Sequence, residues 1–303
     1  MTTIAKSVGK GAANKPVDVI KIQALVNNND LYTGLTGPLA VNGKADEALS
    51  TAIANFQAKH PQIAAKKPDG KVDPGGRTLS RLDQCNNVRG ISVDYYPKGF
   101  AGNTLVRFNI DTFLDLYALQ YPGLGSSARV ALKALVDFIL GDAEVTDLRW
   151  AAYMLATVKH ECADTWEPIE EYGKGAGHDY GNAVKVKVPD SKLELSNTYY
   201  GRGYVQLTWE SNYKAMDTAL GLSGLASLHL YPANALNADT AYKIMSYGMR
   251  NGSFTGKKLS DYISSGAADY RNARRIINGV DQAARIKGYA DDIEFLLRFC
   301  NGV

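Results

Sequence analysis

Apolar residues recur at helical spacing in the first part of the chain. One run covers residues 17–26 and a second covers residues 48–56, each with apolar side chains at about every third or fourth position. Two Gly/Pro-rich turns follow, and a short apolar helix start at Thr78 closes the pattern. Residues 1–83 are therefore predicted to form a small three-helix domain.

Residues 84–104 show little periodicity and several Asn and Gly residues, which is typical of a linker. Asn109 then stands where the cap of the next helix is expected. Further helices are predicted over residues 127–140, 147–162, 212–220, 238–249, 270–277 and 281–300. We find no internal repeat and no alternation of strand and helix that would indicate a parallel sheet. The second domain, residues 105–303, is therefore predicted to be mainly α.

Composition places the chain among globular proteins rather than disordered ones, since 45% of its 303 residues are apolar and 21% are charged. The formal net charge is only +3, but residues 1–104 hold 13 Lys/Arg against 8 Asp/Glu. A basic small domain suits an anionic polymer such as cell wall, nucleic acid or a lipid surface. Composition alone does not choose among these polymers.

The three cysteines, Cys85, Cys162 and Cys300, are an odd number without a CxxC pair. This argues against a disulfide scaffold and a structural zinc site, and it predicts synthesis in a reducing compartment. The first residues lack the apolar segment of a signal peptide, and no stretch approaches the ~20 apolar residues of a membrane helix. We expect a protein made in the cytoplasm, without membrane insertion, that needs a separate route of export.

The predicted helix over residues 147–162 carries Glu161 on an apolar stripe. Trp150, Tyr153 and Met154 precede Glu161 at spacings that put these side chains on one helical face. A carboxylate there is desolvated and opposed by the helix dipole, so its ionised form is disfavoured. Such an environment suits a general acid. The alternatives are a frayed last-turn residue and a carboxylate paired with a buried arginine.

A polar loop with three further glutamates follows this helix. Pro168 ends helical pairing, with Glu167 before it and Glu170 and Glu171 after it. Hydrolysis of a glycosidic bond needs two carboxyl groups, one to protonate the leaving oxygen and one to activate water or attack. Glu161 and one loop glutamate therefore form a candidate catalytic pair.

The segment YYGRGYVQLTWESNY, residues 199–213, carries the most specific motif in the chain. A Gly-Arg-Gly turn is followed by alternating side chains, which predicts a short strand with Gln206 and Thr208 on one face. The segment resembles the Tyr-Tyr-Gly-Arg-Gly-x-x-Gln-Leu-(Ser/Thr)-x-x-x-Asn-Tyr motif of glycoside hydrolase family 19. That family contains the chitinases and the related phage endolysins.

The resemblance extends from near Leu105 to the C-terminus and implies a lysozyme-like α+β catalytic domain with an inverting mechanism. His160 and Glu161 match the family's His-Glu-(Thr/Ser) sequence, from which Cys162 departs, and the resemblance makes Glu161 the general acid. It makes Thr208 the hydroxyl that helps to hold the attacking water. The sugar-binding residues that it implies, including those of a late Ile-Ile-Asn-Gly and Arg-Ile signature, are Arg202, Gln206, Asn212, Tyr213, Asn278 and Arg285.

The second carboxylate is Glu171 or Glu170. The phage-like pattern Pro-(Ile/Val)-x-Glu before Tyr-Gly selects Glu171, whereas Glu170 stands nine residues after Glu161. An inverting pair requires a separation of about 6.5–9.5 Å between the two carboxyl groups, with room for a water molecule. We favour Glu171 and keep Glu170 as the alternative.

The N-terminal domain resembles the peptidoglycan-binding module, and a generic three-helix bundle is the alternative. The marks of the module that the sequence matches are Gln23 in a helix, Asn42-Gly43 in a turn, Phe56-Gln57 at a helix end, and Asp-Gly-x-Val-x-Pro-Gly-Gly-x-Thr-Leu at residues 69–79. The resemblance implies bacterial peptidoglycan as the partner.

Together these features predict an endolysin-type, muramidase-like glycosidase that hydrolyses the β-1,4 glycan strands of peptidoglycan without a metal or another cofactor. Chitinase activity and a non-catalytic wall-binding protein are the alternatives. A zinc peptidase is disfavoured because HExxH needs a histidine where Asp164 stands. We expect a monomer that does not bind nucleic acid and that acts on the periplasmic cell wall after holin-type release or secretion as an antibacterial effector.

Overall fold

The computed structural model describes residues 1–63, 67–88, 102–105, 108–264 and 266–301. The chain forms two compact units. The first consists of Met1–Ala101, Arg107–Gly123 and Arg298–Val303, and the second consists of Gly102–Val106 and Leu124–Leu297. The predicted domain boundary and this division differ, because residues 107–123 belong to the first unit.

The first unit is built from helices and one two-stranded antiparallel sheet. Its elements are β1 (Val8–Gly9), α1 (Pro16–Asn28), α2 (Asp30–Thr33), α3 (Glu47–Lys59), β2 (Lys71–Val72), α4 (Arg77–Val88) and α5 (Ile110–Gln120). Pro16 begins α1, where its fixed φ suits the first turn and its missing N–H costs no hydrogen bond. The Asp46 carboxylate caps α3 by accepting from the Leu49 N–H at 2.8 Å. Leu25 and Phe56 are fully buried in the core between these helices.

Gln57, on α3, holds a turn between α3 and β2. Its Oε1 accepts from the N–H groups of Asp69 and Gly70, both at 3.0 Å. Its Nε2 donates to Asp69 Oδ1 at 2.7 Å and to the Lys71 carbonyl at 3.0 Å. This single buried amide therefore satisfies two donors and two acceptors of the turn.

Gln23, on α1, holds an earlier turn in the same way. Its Oε1 accepts from the N–H groups of Asn42 and Gly43, and its Nε2 donates to Asn42 Oδ1 and the Lys44 carbonyl, each at 3.0 Å. The first unit thus contains a repeat, a helix glutamine that clasps an (Asn/Asp)-Gly-Lys turn, and our statement that the chain has no internal repeat is wrong. The repeat is hidden because the glutamine and the turn are 19 residues apart in one copy and 12 in the other.

One detail of the predicted linker needs correction. Helix α4 runs to Val88, so residues 84–88 are helical. Residues 89–101 lie outside the described part of the chain. Asn109 does cap α5, as predicted, by accepting from the Thr112 N–H at 3.0 Å, and its own N–H donates to the Cys300 carbonyl at 3.0 Å.

The second unit is mainly helical with three small antiparallel sheets. Its helices are α6 (Ser126–Gly141), α7 (Leu148–Glu161), α8 (Glu210–Leu220), α9 (Ala238–Asn251), α10 (Leu259–Tyr262), α11 (Tyr270–Ala273) and α12 (Ala283–Phe299), the last belonging to this unit as far as Leu297. Its strands are β3 (Ile169–Glu170), β4 (Val184–Lys187), β5 (Glu194–Asn197), β6 (Arg202–Gly203), β7 (Ile263–Ser264) and β8 (Ala267–Ala268). The strands pair β3 with β6, β4 with β5, and β7 with β8. The predicted class, mainly α with short strands in the larger domain, is confirmed.

Three local predictions in the second unit are wrong. The Gly-Arg-Gly segment is not a turn, because Arg202–Gly203 is strand β6, and the turn follows it instead. Residues 204–208 are not a strand, since Arg202 and Leu207 exchange both backbone hydrogen bonds and Gln206 has a φ of 53°. The predicted helix over residues 270–277 also divides, into α11 and the 3₁₀ turn Arg274–Ile276.

In the described part of the chain, no helix combines the length and apolar character needed to cross a membrane. Cys85, Cys162 and Cys300 are all buried free thiols.

Candidate active site

Glu161 is the last residue of α7. The helix is capped by Asp147, which accepts from the Arg149 N–H at 2.9 Å, and most of its side chains are buried. The Glu161 side chain is 15% exposed and forms an ion pair with Arg274, whose side chain is 3% exposed. Of the environments considered from the sequence, the structure has the carboxylate paired with a buried arginine. The prediction of an unpaired carboxylate among apolar groups is wrong.

Tertiary packing brings the arginine to α7. Tyr153, two turns before Glu161, stacks on Tyr270 with ring centroids 5.9 Å apart, and Tyr270 begins the α11 segment that leads to Arg274. The Arg274 Nε donates to the Asp281 carbonyl at 3.1 Å, which orients the guanidinium. Burial raises the pKa of Tyr153, so this phenol stays neutral beneath the ion pair.

The loop between α7 and β3 is held in an unusual backbone conformation. Ala163, Asp164 and Trp166 all have positive φ, between 48° and 65°, which is uncommon for residues with a side chain. Lys159, 5% exposed, forms an ion pair with the Asp164 carboxylate. The Trp166 side chain is fully buried. These contacts fix the path from Glu161 to the next carboxylates.

Glu170 lies on β3, opposite Arg202 of β6. Its carboxylate accepts from the Tyr200 hydroxyl at 2.6 Å and lies 3.1 Å from Lys174 Nζ and 3.6 Å from Arg202 Nε. The hydrogen bond from Tyr200, together with Lys174 and Arg202, holds the pKa of Glu170 below its usual value. Glu170 is therefore an ionised group with two cationic neighbours.

Glu171 directly follows β3, so its side chain leaves the strand on the side opposite to Glu170. Its carboxylate accepts from the Tyr180 hydroxyl and from the Gly201 N–H, each at 3.1 Å. Its own N–H donates to the Gly201 carbonyl at 2.7 Å. Glu171 is thus fixed by neutral donors, whereas Glu170 has two cationic neighbours in addition to the Tyr200 hydroxyl.

The loop from β6 to α8 positions three predicted site residues. Gln206 donates through Nε2 to the carbonyls of Ile169 and Gly203, each at 3.2 Å, so this amide ties the turn to β3. Asn212 donates through Nδ2 to the Thr208 carbonyl at 2.8 Å. The side chains of Gln206, Thr208 and Asn212 are all partly exposed, which leaves them accessible to a ligand.

Arg202 and Tyr213 are buried, and the prediction of direct sugar contacts for them needs correction. The Arg202 guanidinium lies 3.6 Å from the Tyr200 ring centroid and donates to the Tyr213 hydroxyl at 3.1 Å and the Thr198 carbonyl at 3.0 Å. The Tyr213 hydroxyl donates to the Tyr200 carbonyl at 2.9 Å. Both residues shape the loop that carries the motif.

Asn278 and Arg285 are exposed. The Asn278 N–H donates to the Arg274 carbonyl at 3.0 Å, so Asn278 belongs to the segment that supplies the partner of Glu161. Arg285 lies on α12 and forms neither a hydrogen bond nor an ion pair with Glu161. The structure therefore connects Asn278 to the site through Arg274 and leaves a role for Arg285 as a prediction.

Sequence reasoning missed Arg274, Tyr180 and Lys159. Arg274 stands just before the Ile-Ile-Asn-Gly signature, but nothing in a single sequence pairs it with a glutamate 113 residues away. Tyr180 and Lys159 carry no motif. Among the described residues, no group of three or more His, Cys, Asp or Glu side chains could hold a metal ion.

No family model matches the chain. It is similar to acidic endochitinase SP2 of Beta vulgaris, with 29% identity over 119 residues, which are 39% of this chain. The chain spans about 40% of the length of this curated relative.

Two solved structures are distantly similar. Chitinase C from Streptomyces griseus HUT6037 has 20% identity and a TM-score of 0.34, over 60% of this chain and 72% of that chain. A bacterial family 19 chitinase has 19% identity and a TM-score of 0.33, over 63% of this chain and 88% of that chain. The roles of individual residues must therefore be argued from this chain's own contacts.

Proposed function

We propose that this protein is an inverting glycoside hydrolase with Glu161 as general acid and Glu171 as general base. The supporting observation is that Glu161 and Glu171 lie close in sequence, on either side of the short segment that follows α7, and that each carboxylate is held in a defined and different environment. Arg274 holds Glu161 at the end of α7, while Tyr180 and Gly201 hold Glu171 beside β3. Glycosidic hydrolysis by inversion uses two fixed carboxyl groups of this kind.

In this mechanism Glu161 protonates the leaving glycosidic oxygen, and Glu171 takes a proton from the water that attacks the anomeric carbon. Glu161 acts as the acid in its protonated form. After proton transfer, Arg274 stabilises the carboxylate that remains. Thr208 is the hydroxyl proposed to help hold the water, with Gln206 as a sugar ligand on the same loop.

Glu170 is the alternative base, and its contacts support a different role. Lys174 and Arg202 neutralise it, and the Glu170–Arg202 pair joins the two strands of the β3–β6 sheet. A carboxylate whose charge is already balanced is a weak proton acceptor. Glu170 thus suits a structural ion pair, and Glu171 remains our choice for the base.

The direct test is Glu161→Gln, which keeps the shape of the side chain but cannot deliver a proton. Glycan cleavage should fall about 1,000-fold. Glu167→Gln is the matched control, because Glu167 lies exposed in the same loop and should keep wild-type activity. Mass spectrometry of digested sacculi measures the result as new reducing sugar ends. Wild-type cleavage by Glu161→Gln, or release of stem peptides alone, would refute the proposal.

The polymer that we propose is peptidoglycan, with muramidase-like cleavage of its β-1,4 bonds. The first unit supports this choice, because a cavity of about 300 Å³ next to Gln57 is lined by three cationic side chains, Lys67, Lys71 and Arg77, against two carboxylates, Asp69 and Asp73. Cationic side chains suit an anionic wall polymer. Chitin is the second candidate, favoured by the similarity to an endochitinase. Parallel digestion of sacculi and colloidal chitin separates the two.

Wall binding is tested in the full chain. The double variant Lys67→Ala, Arg77→Ala should bind less to sacculi in a pull-down. The control is the double variant Lys192→Ala, Lys257→Ala, which removes the same charge from exposed sites of the second unit. The control should bind sacculi as well as the wild-type chain does. Equal binding by the two double variants would refute a role for this cavity. A non-catalytic wall-binding protein would pass this test and fail the glycan cleavage assay.

The setting that belongs to this proposal is a monomer made in the bacterial cytoplasm that reaches the periplasmic wall by holin-type release or effector secretion. Expression inside bacteria should then be tolerated until the inner membrane is permeabilised. Lysis should follow permeabilisation and should require Glu161. Lysis without permeabilisation would contradict cytoplasmic retention.

A further inference from the structure

Trp209 is a large apolar side chain that remains open to solvent. Its side chain is 48% exposed and stands between Thr208 and the first turn of α8. The chain has three tryptophans. Trp166 is fully buried, and Trp150 is partly buried with its Nε1–H donating to the Ile263 carbonyl at 3.0 Å. Trp209 is therefore the tryptophan most accessible to a ligand.

The backbone of Trp209 is strained and firmly held. Its φ is 72°, in the left-handed region that side chains disfavour. Its N–H donates to the Tyr199 carbonyl at 2.9 Å, and its carbonyl accepts from the N–H groups of Asn212 and Tyr213 at 3.0 and 3.2 Å. Strained residues persist when surrounding contacts determine them, and they cluster at functional sites. In this strained conformation the indole ring of Trp209 remains exposed to solvent.

A row of aromatic rings leads from Trp209 to the candidate base. The Trp209 ring meets Tyr180 edge to face, with ring centroids 5.2 Å apart and an interplanar angle of 80°. Tyr180 stacks on His178 at 4.9 Å, and its hydroxyl donates to Glu171 Oε1 at 3.1 Å. The exposed indole is thus one residue away from the carboxylate that is proposed to activate water.

We propose that Trp209, braced by Tyr180, forms the wall of a sugar subsite beside Glu171. Its ligand is the apolar C–H face of a pyranose ring in a β-1,4-linked N-acetylhexosamine strand. Carbohydrate rings present such faces, and an exposed aromatic side chain with a polar rim is suited to bind them. Asn212, in the first turn of α8, supplies the polar rim. This inference rests on the proposed glycosidase function.

Binding is tested in the Glu161→Gln variant, so that the ligand is not cut. The probes are the N-acetylglucosamine tetramer and glycan strands released from sacculi by an amidase. Either ligand should shift the tryptophan fluorescence and protect it from acrylamide quenching. Adding Trp209→Phe to Glu161→Gln should remove both signals. Unchanged signals in that variant would overturn the subsite.

Kinetics give the second test. Trp209→Ala should raise KM about 10-fold, and kcat should change far less, because a stacking wall contributes to binding in ground state and transition state alike. Trp209→Phe should restore most of the affinity. Leu225→Ala is the matched control, since Leu225 is an exposed apolar residue elsewhere in the same unit. An unchanged KM for Trp209→Ala, or a loss that Phe does not rescue, would refute the proposal.

The two proposals can fail separately. If the wild-type chain cuts neither polymer, the glycosidase function fails, and the fluorescence titration still reports whether Trp209 binds a glycan. If the wild-type chain cuts glycan and Trp209→Ala binds normally, only the subsite fails.

Discussion

Left-handed backbone falls mainly on glycine in the first unit, whereas in the second unit it also falls on many residues with side chains. In the clasped turns of the first unit, positive φ falls on glycine, at Gly43 and Gly70. In the second unit, the loops around the candidate carboxylates put positive φ on residues with side chains, among them Asp164 and Trp209. Glycine adopts this conformation without strain, whereas other residues need contacts that hold them there. The clasped turns of the first unit therefore avoid strain, whereas the second unit holds strained residues near the carboxylates for which chemistry is proposed.

Among the substitutions that test this comparison, Gly70→Ala should cause the largest change, a loss of stability. Gly70 has a φ of 68°, and an added Cβ would lie 2.9 Å from the Ser50 carbonyl oxygen. Strain and overlap together should cost about 3 kcal/mol of stability. Gly75→Ala is the control, because Gly75 has a φ of 64° and no atom within 4 Å; it should cost about 1 kcal/mol. Hydrogen exchange of the α3 amides measures both losses, and equal losses would contradict the role of the clasped turn.

Lys159→Met should lower glycan cleavage about 10-fold, because the ion pair with Asp164 that holds the strained loop is lost. The loss should fall on kcat, since the loop sets the position of Glu161 relative to Glu171. Lys159→Arg keeps the charge and should restore most of the activity. A methionine variant with full activity would show that the loop holds its shape without the ion pair.

Trp209→Gly should stabilise the second unit by about 1 kcal/mol relative to Trp209→Ala, because glycine accepts the φ of 72°. Both variants should bind glycan equally poorly. Thermal unfolding measures the stability of each variant, and KM for glycan cleavage measures its binding. A glycine variant less stable than the alanine variant would mean that the backbone at this position is not strained.

The smallest effect, and the one that separates Glu170 from Glu171, is expected from Tyr200→Phe. Removing the hydroxyl donor takes away the main cause that lowers the pKa of Glu170, so that pKa should rise toward its usual value. A base must be ionised, so a raised pKa would move the acidic limb of the kcat profile to higher pH. We expect the limb to stay in place because Glu171 is the base. A shift of the limb would identify Glu170 instead.

The helices could be predicted because their apolar spacing and caps are local signals. Asp147 and Asn109 cap α7 and α5 at the positions where the sequence indicated helix starts. The alternation around Gln206 does not mark a strand, since a two-residue period also occurs by chance in a tight turn. The Glu161–Arg274 pair could not be predicted either, because it depends on packing between residues that are far apart in sequence.

The first unit contains residues from near both ends of the chain. Asn109 donates to the carbonyl of Cys300, and Arg298–Val303 belongs to the same compact unit as Met1–Ala101. During synthesis, the helices α1 to α4 leave the ribosome long before the last contacts of their unit exist. The first unit therefore cannot form all of its contacts until the second unit has been translated, because residues 298–303 are synthesised last.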